Sequence, residues 1–316
     1  MLIRNKLNNL TVTELKEKIK NLGGSGHSKF NKEELIDIYQ NLVNNTNINV
    51  IFTDKINNFN TIFNITHEGY NLNSVEWKKE LFKKGWTVVK IPDFDSIPWK
   101  NLILSEIEKY HHLSINKILQ KTNYFINDTF NLSFLTHHNI IWNLRKKCKE
   151  IFKNIWKDNN LLCSFQSPFI IKNNDEDIIN FQVNQNHNLE EFICVEGLIT
   201  FEDNLIDNNG GLIIKSIKDN KCYKILTNEG NIILYDSRLH KSIEKPKFKY
   251  FLGLNICMQP KVGANEEELS ERKNSLYTNN SSSNWCYGPM FKTISSNINN
   301  YFENDIVDEE ILNMIY

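Results

Sequence analysis

Residues 177–216, DIINFQVNQNHNLEEFICVEGLITFEDNLIDNNGGLIIKS, and 230–260, GNIILYDSRLHKSIEKPKFKYFLGLNICMQP, decide how this chain folds. Apolar runs of strand length at 192–198, 211–214, 230–235 and 250–258 are separated by clusters of Asn, Asp and Gly. Strand-length runs punctuated by turn residues predict antiparallel strands. Several in succession predict a closed or double-layered β structure.

Working outward, LLCSFQSPFIIKN (161–173) reads as a strand with a proline step leading into this region. Residues 99–157 are mostly helical in pattern, with Ile140, Ile141, Leu144, Cys148, Ile151, Phe152 and Ile155 on one face, so these helices are expected to back the sheet. Residues 74–94 switch from helical spacing through Leu81 and Phe82 to strand character over 86–91, ending at Pro92. After Pro260 comes a polar helix, then a loop from Ser281 to Trp285. A short amphipathic helix in IVDEEILNMIY follows, whose exposed face would suit self-association. The Asn-rich stretch 44–64 reads as a linker.

Residues 9–43 predict two short helices around a Gly-rich turn. Thr11 and Glu14 form a capping box, Leu10, Leu15, Ile19 and Leu22 an apolar face, and Gly23-Gly24 a stop; a second helix starts near Asn31. The motifs Leu10-Thr11-Val12-Thr13-Glu14-Leu15-Lys16 and Lys32-x-Glu34-Leu35 resemble a SAP motif, a small DNA-binding helical hairpin, although the turn is about four residues longer than that family's. The resemblance implies DNA as a partner, through Lys16, Lys20, Lys29 and Lys32. The charge is thin for that role: seven Lys/Arg against five Asp/Glu over residues 1–45, net +2. A protein-interaction or structural role for the hairpin stays open.

The 316 residues carry a net charge of −1, which argues against a globally basic nucleic-acid binder. Apolar runs stop well short of the ~18 residues of a membrane span. MLIRNKLNNL lacks a signal-peptide pattern, so an intracellular protein of cytoplasm or nucleus is expected, not a secreted or membrane one. The AT-rich codon bias implied by Asn, Ile and Lys leaves a viral particle or assembly open. Six cysteines without any C-x-x-C are expected to be buried, reduced thiols. The pairs His111-His112 and His137-His138 read as loop or helix-end residues.

The segments QVNQNH, CVEGLITFED, GGLIIKS, GNIILYDSRLHKS and FLGLNICMQP resemble the core of iron(II)/2-oxoglutarate oxygenases of the phytanoyl-CoA dioxygenase type over roughly residues 70–290. The resemblance implies an α+β protein with a double-stranded β-helix (jelly-roll, cupin-like) core backed by helices, plus the small N-terminal hairpin. Its expected divisions are 1–45 (hairpin), 46–68 (linker), 69–260 (oxygenase-like domain) and 261–316 (C-terminal helical extension). It also implies where the metal ligands would stand: Gln182 in place of the first His, Asn184 in place of the carboxylate, His240 as the remaining His. Such a site needs two imidazoles and a carboxylate on one face of the metal. Two residues are neutral amides, and His240 follows its Arg one residue sooner than the family's spacing, which would turn it to the other face.

For the remnant 2-oxoglutarate pocket, Lys249 or Lys247 stands for the expected Arg, and Glu196 replaces a Gln. These departures point to a pseudoenzyme without cofactor that acts by binding or assembly, with DNA, a protein or its own copies as partner. The alternative is an active Fe(II)/2-oxoglutarate hydroxylase with atypical ligands drawn from His240, His187, Asp177 or Glu196. A third reading is a β-sandwich structural protein whose likeness is incidental.

Overall fold

The structure, a computed structural model, describes residues 11–21, 31–36, 62–126, 128–173, 181–184, 194–202, 205, 209–216, 218–247, 249–288, 291–295 and 309–315. Strands β1 (Ile62–His67), β2 (Trp86–Lys90), β3 (Thr129–Asn131), β4 (Leu161–Cys163), β5 (Pro168–Lys172), β6 (Val195–Thr200) and β7 (Gly211–Lys215) come first. They are followed by β8 (Cys222–Thr227), β9 (Asn231–Asp236), β10 (His240–Glu244), β11 (Tyr250–Pro260) and the short β12 (Ser281–Ser282) and β13 (Thr293–Ile294).

Two sheets face each other. The larger runs β2-β9-β6-β11-β5-β3, with β4 also on β11; the smaller runs β1-β8-β7-β10. Gln182 extends the smaller sheet, exchanging both backbone hydrogen bonds with Lys241 (2.7 and 2.9 Å). From β5 to β11 the chain therefore crosses large, small, large, small, small, large, small, large. That order is a jelly roll, the expected double-stranded β-helix.

Strand alternation explains the two cores. Along β6, Leu198 points between the sheets with Leu212, Ile214, Ile233 and Phe251, while Val195 and Ile199 point the other way, into the helical layer. That layer contains α2 (Glu76–Lys84), α3 (Ser96–His111), α4 (Ile115–Leu119) and α5 (Asn139–Trp156), with α6 (Glu266–Tyr277) and α7 (Glu309–Ile315) beside them. The apolar stripe of α5 is buried as expected, and α7 buries Ile311, Met314 and Ile315 in the same core. Gly85 ends α2 at φ +83°, a left-handed conformation that lets β2 start at the next residue.

The N-terminal prediction holds locally. Val12–Asn21 (α1) is helical and capped by Thr11 and Glu14; residues 32–36 are helical behind a second capping box, Asn31 with Glu34. Leu15, Ile19, Leu35 and Ile36 are buried. The linker expectation needs correction at its end: residues 62–67 form β1, which pairs in parallel with β8. Its Ile62, Ile65 and Phe63 sit among Asn and Thr, a weak alternation that only the partner strand makes decisive.

Candidate functional site

Opposite residues in an antiparallel pair project to the same face, so register decides what faces the space between the sheets. Lys241 lies opposite Ile214 and Ile243 opposite Leu212, both residues of the inner core. Gln182 pairs with Lys241 and shares that inner face. His240 lies opposite Lys215 and alternates to the outer face, the side of Ser242 and Ile213. His240 is thus not the residue that joins Gln182 and Asn184; Lys241 is. His240 and Lys241 are neighbours on one strand, so their side chains take opposite faces.

Lys241 meets Glu196 there. Glu196 is fully buried on β6, and Lys241 Nζ lies 2.5 Å from its Oε2. Asn184 donates from Nδ2 to both carboxylate oxygens (2.8 and 2.7 Å), Asn284 donates at 3.0 Å, and the Tyr235 hydroxyl at 3.2 Å. Lys241 also donates to the Tyr235 oxygen at 2.9 Å. Burial first, then the adjacent Glu196 charge, push the Tyr235 hydroxyl well above its ordinary value, so it remains a phenol and a donor. Four donor groups, those of Lys241, Asn184, Asn284 and Tyr235, thus satisfy the acceptor oxygens of this buried side chain.

Tyr235, Lys241 and Asn284 of this cluster, with Gln182, line a cavity of about 460 Å³. One wall is apolar: Phe169, Ile171, Leu212 and Ile243. The opposite wall is the segment from β12 onward, Ser281 to Asn284, which docks where Ser282 exchanges hydrogen bonds with Phe165 (2.8 and 3.1 Å). Gly253 shapes the apolar wall, because a Cβ there would come within 2.6 Å of the Phe169 ring.

The predicted co-substrate lysines lie elsewhere. Lys249 is exposed in the turn before β11 (φ +51°) and Lys247 is exposed beside it. The second ammonium at the cavity is Lys245, which continues the alternation from Lys241 and Ile243 and pairs with Asp128 at 2.8 Å. Glu196 is fully buried, is not among the residues lining the cavity, and is engaged by Lys241. His187 and Asp177 lie outside the described residues, as do Lys29 and the side chain of Lys20; Lys16 and Lys32 are half-buried on the N-terminal helices. Among the described residues no three His, Cys, Asp or Glu side chains come together in a way that could hold a metal ion.

The donor set at this corner does not fit iron(II) with 2-oxoglutarate. An ammonium cannot ligate and repels a divalent cation, and the Asn184 amide turns its nitrogen, not its oxygen, toward the one carboxylate. Two other polar groups escaped the sequence reading. Arg145 is fully buried, lies over Trp142 and donates to the carbonyls of Thr136 and Gln166, each at 2.8 Å. Arg272 is fully buried and donates to the carbonyls of Cys163, Cys286, Met314 and Ile315. His137 is buried next to Arg145; burial, then that charge, lower it to about 3. His112 and His138 do sit at helix ends, and all six cysteines are free and buried.

No family model matches the chain, and no curated protein is found similar to it. Among solved structures, it is similar to HygX from Streptomyces hygroscopicus with nickel and 2-oxoglutarate bound: 10% identity, 60% of this chain, 87% of that one, TM-score 0.44. AviO1 from Streptomyces viridochromogenes is similar at 9% identity over 60% of this chain and 96% of that one, TM-score 0.44. SnoK, a non-heme α-ketoglutarate-dependent carbocyclase from nogalamycin biosynthesis, gives 9% over 61% and 87%, TM-score 0.43.

Proposed function

We propose that this chain acts by binding a small molecule in its jelly-roll cavity and carries out no iron chemistry there. The observation that carries the reading is Lys241: the chain's own ammonium stands on the inner face beside Gln182 and Asn184 and is neutralised by the buried Glu196. A fixed internal cation makes a divalent metal at that corner electrostatically unfavourable. The cavity itself remains open, polar on one side and apolar on the other, which suits a ligand-binding site of ordinary size.

The test is anaerobic iron titration of the full chain, followed by a 2-oxoglutarate decarboxylation assay in air. No stoichiometric iron uptake and no succinate above the protein-free rate are expected. Stoichiometric binding with succinate release would establish an active hydroxylase with ligands outside this corner and sink the proposal.

A further inference from the structure

We infer that the cavity takes a neutral, polyhydroxylated ligand of the mono- or disaccharide class, an inference that rests on the binding role proposed above. Charge comes first. Lys241 and Lys245 are the charged side chains lining the cavity among the described residues; Lys241 is paired with Glu196, and Lys245 with Asp128, a carboxylate it shares with Lys172 at 3.9 Å. An anion arriving there would have to compete with two pairs already made.

The polar wall points the same way. Asn131, Gln166, Gln182, Asn255 and Asn284 line the cavity, five amides that each present a donor and an acceptor. A hydroxyl also both donates and accepts, so an array of amides matches a polyol. A carboxylate only accepts and would face the amide oxygens without a proton between them.

Gln166 adds an independent sign. It is 6% exposed in the cavity wall, and its side-chain nitrogen has no hydrogen-bond acceptor among the described residues. A buried donor left unmatched costs roughly 1–3 kcal/mol, which a ligand oxygen would recover. Phe169 and Ile243 also line the cavity and supply apolar contact for the C–H groups of a sugar ring.

The experiment is saturation-transfer NMR on the full chain with maltose, cellobiose and N-acetylglucosamine, and with 2-oxoglutarate and inorganic phosphate as anionic comparators. At least one saccharide is expected to bind. Gln166→Leu and Asn255→Leu should each weaken it about tenfold or more, the order of one lost hydrogen bond. Gln166→Leu should leave the melting temperature unchanged or higher, because its side-chain nitrogen gives up no partner; a merely structural glutamine would lower it. Silence of all three saccharides, wild-type affinity in both variants, or binding of the anions alone overturns the ligand assignment. None of those outcomes touches the proposal of a metal-free site, which stands or falls on iron uptake and succinate.

Discussion

The space between the two sheets has two halves built by the same strands. In one, β6, β9 and β10 contribute Leu198, Ile233 and Ile243; two residues along the same faces they contribute Glu196, Tyr235 and Lys241. The backbone is equally regular in both, so the difference lies in the side chains alone. Where the sheets close over each other, the interior is held by apolar contact. At the end that lines the cavity, one buried ion pair and its amide partners do the holding. A jelly roll thus supplies a rigid frame whose end can change its chemistry without a change of fold.

The sharpest way to break this contrast is to remove one charge. Glu196→Leu strands the Lys241 ammonium and should cost about 3–5 kcal/mol in denaturant unfolding, whereas Glu196→Leu combined with Lys241→Met should recover most of it. If the double variant is as unstable as the single one, the cavity end is held by something other than that pair. Leu198→Ala, two residues away, should cost about 2–5 kcal/mol through lost contact and a residual cavity, with no recovery from Lys241→Met.

A smaller effect belongs outside both halves, at Glu80 on α2. Burial pushes this carboxyl up, but hydrogen bonds from His67, Lys84 and Thr87 outweigh burial and hold it at about 2, below its ordinary 4.5. Because the folded value is depressed, the stabilisation is complete above about 4.5 and is lost as pH falls toward 2. Linkage puts it on the order of 3 kcal/mol. Glu80→Gln should flatten the acid limb of the stability profile over that window; an unchanged limb would assign acid sensitivity to other carboxylates.

The sequence carried the fold well because period-two alternation and Asn/Asp/Gly turns mark strands locally, and the stripe on α5 marks a buried helix. Gln182, Asn184 and Glu196 were singled out by the family resemblance, not by strand alternation. Lys241 was missed because one position separates it from His240, and only pairing with Ile214 fixes which of the two turns inward. Arg145 and Arg272 were illegible for another reason. A charged residue on a helix reads as solvent-facing, and the carbonyls that receive these two come from distant loops and helix ends. The strand at 62–67 was hidden by its own polarity and depends on β8 for its identity.

Arg272 also sets a timetable. Two of its four acceptors, the carbonyls of Met314 and Ile315, lie 42 and 43 residues further along the chain. At roughly 5–20 residues per second of synthesis, those groups are made several seconds after the guanidinium itself. Until they arrive, the side chain that also holds the Cys286 carbonyl, just beyond the Ser281–Asn284 wall, cannot be fully enclosed. The segment just beyond the serine wall is therefore tied to a guanidinium whose set of acceptors is completed only when α7 has been made.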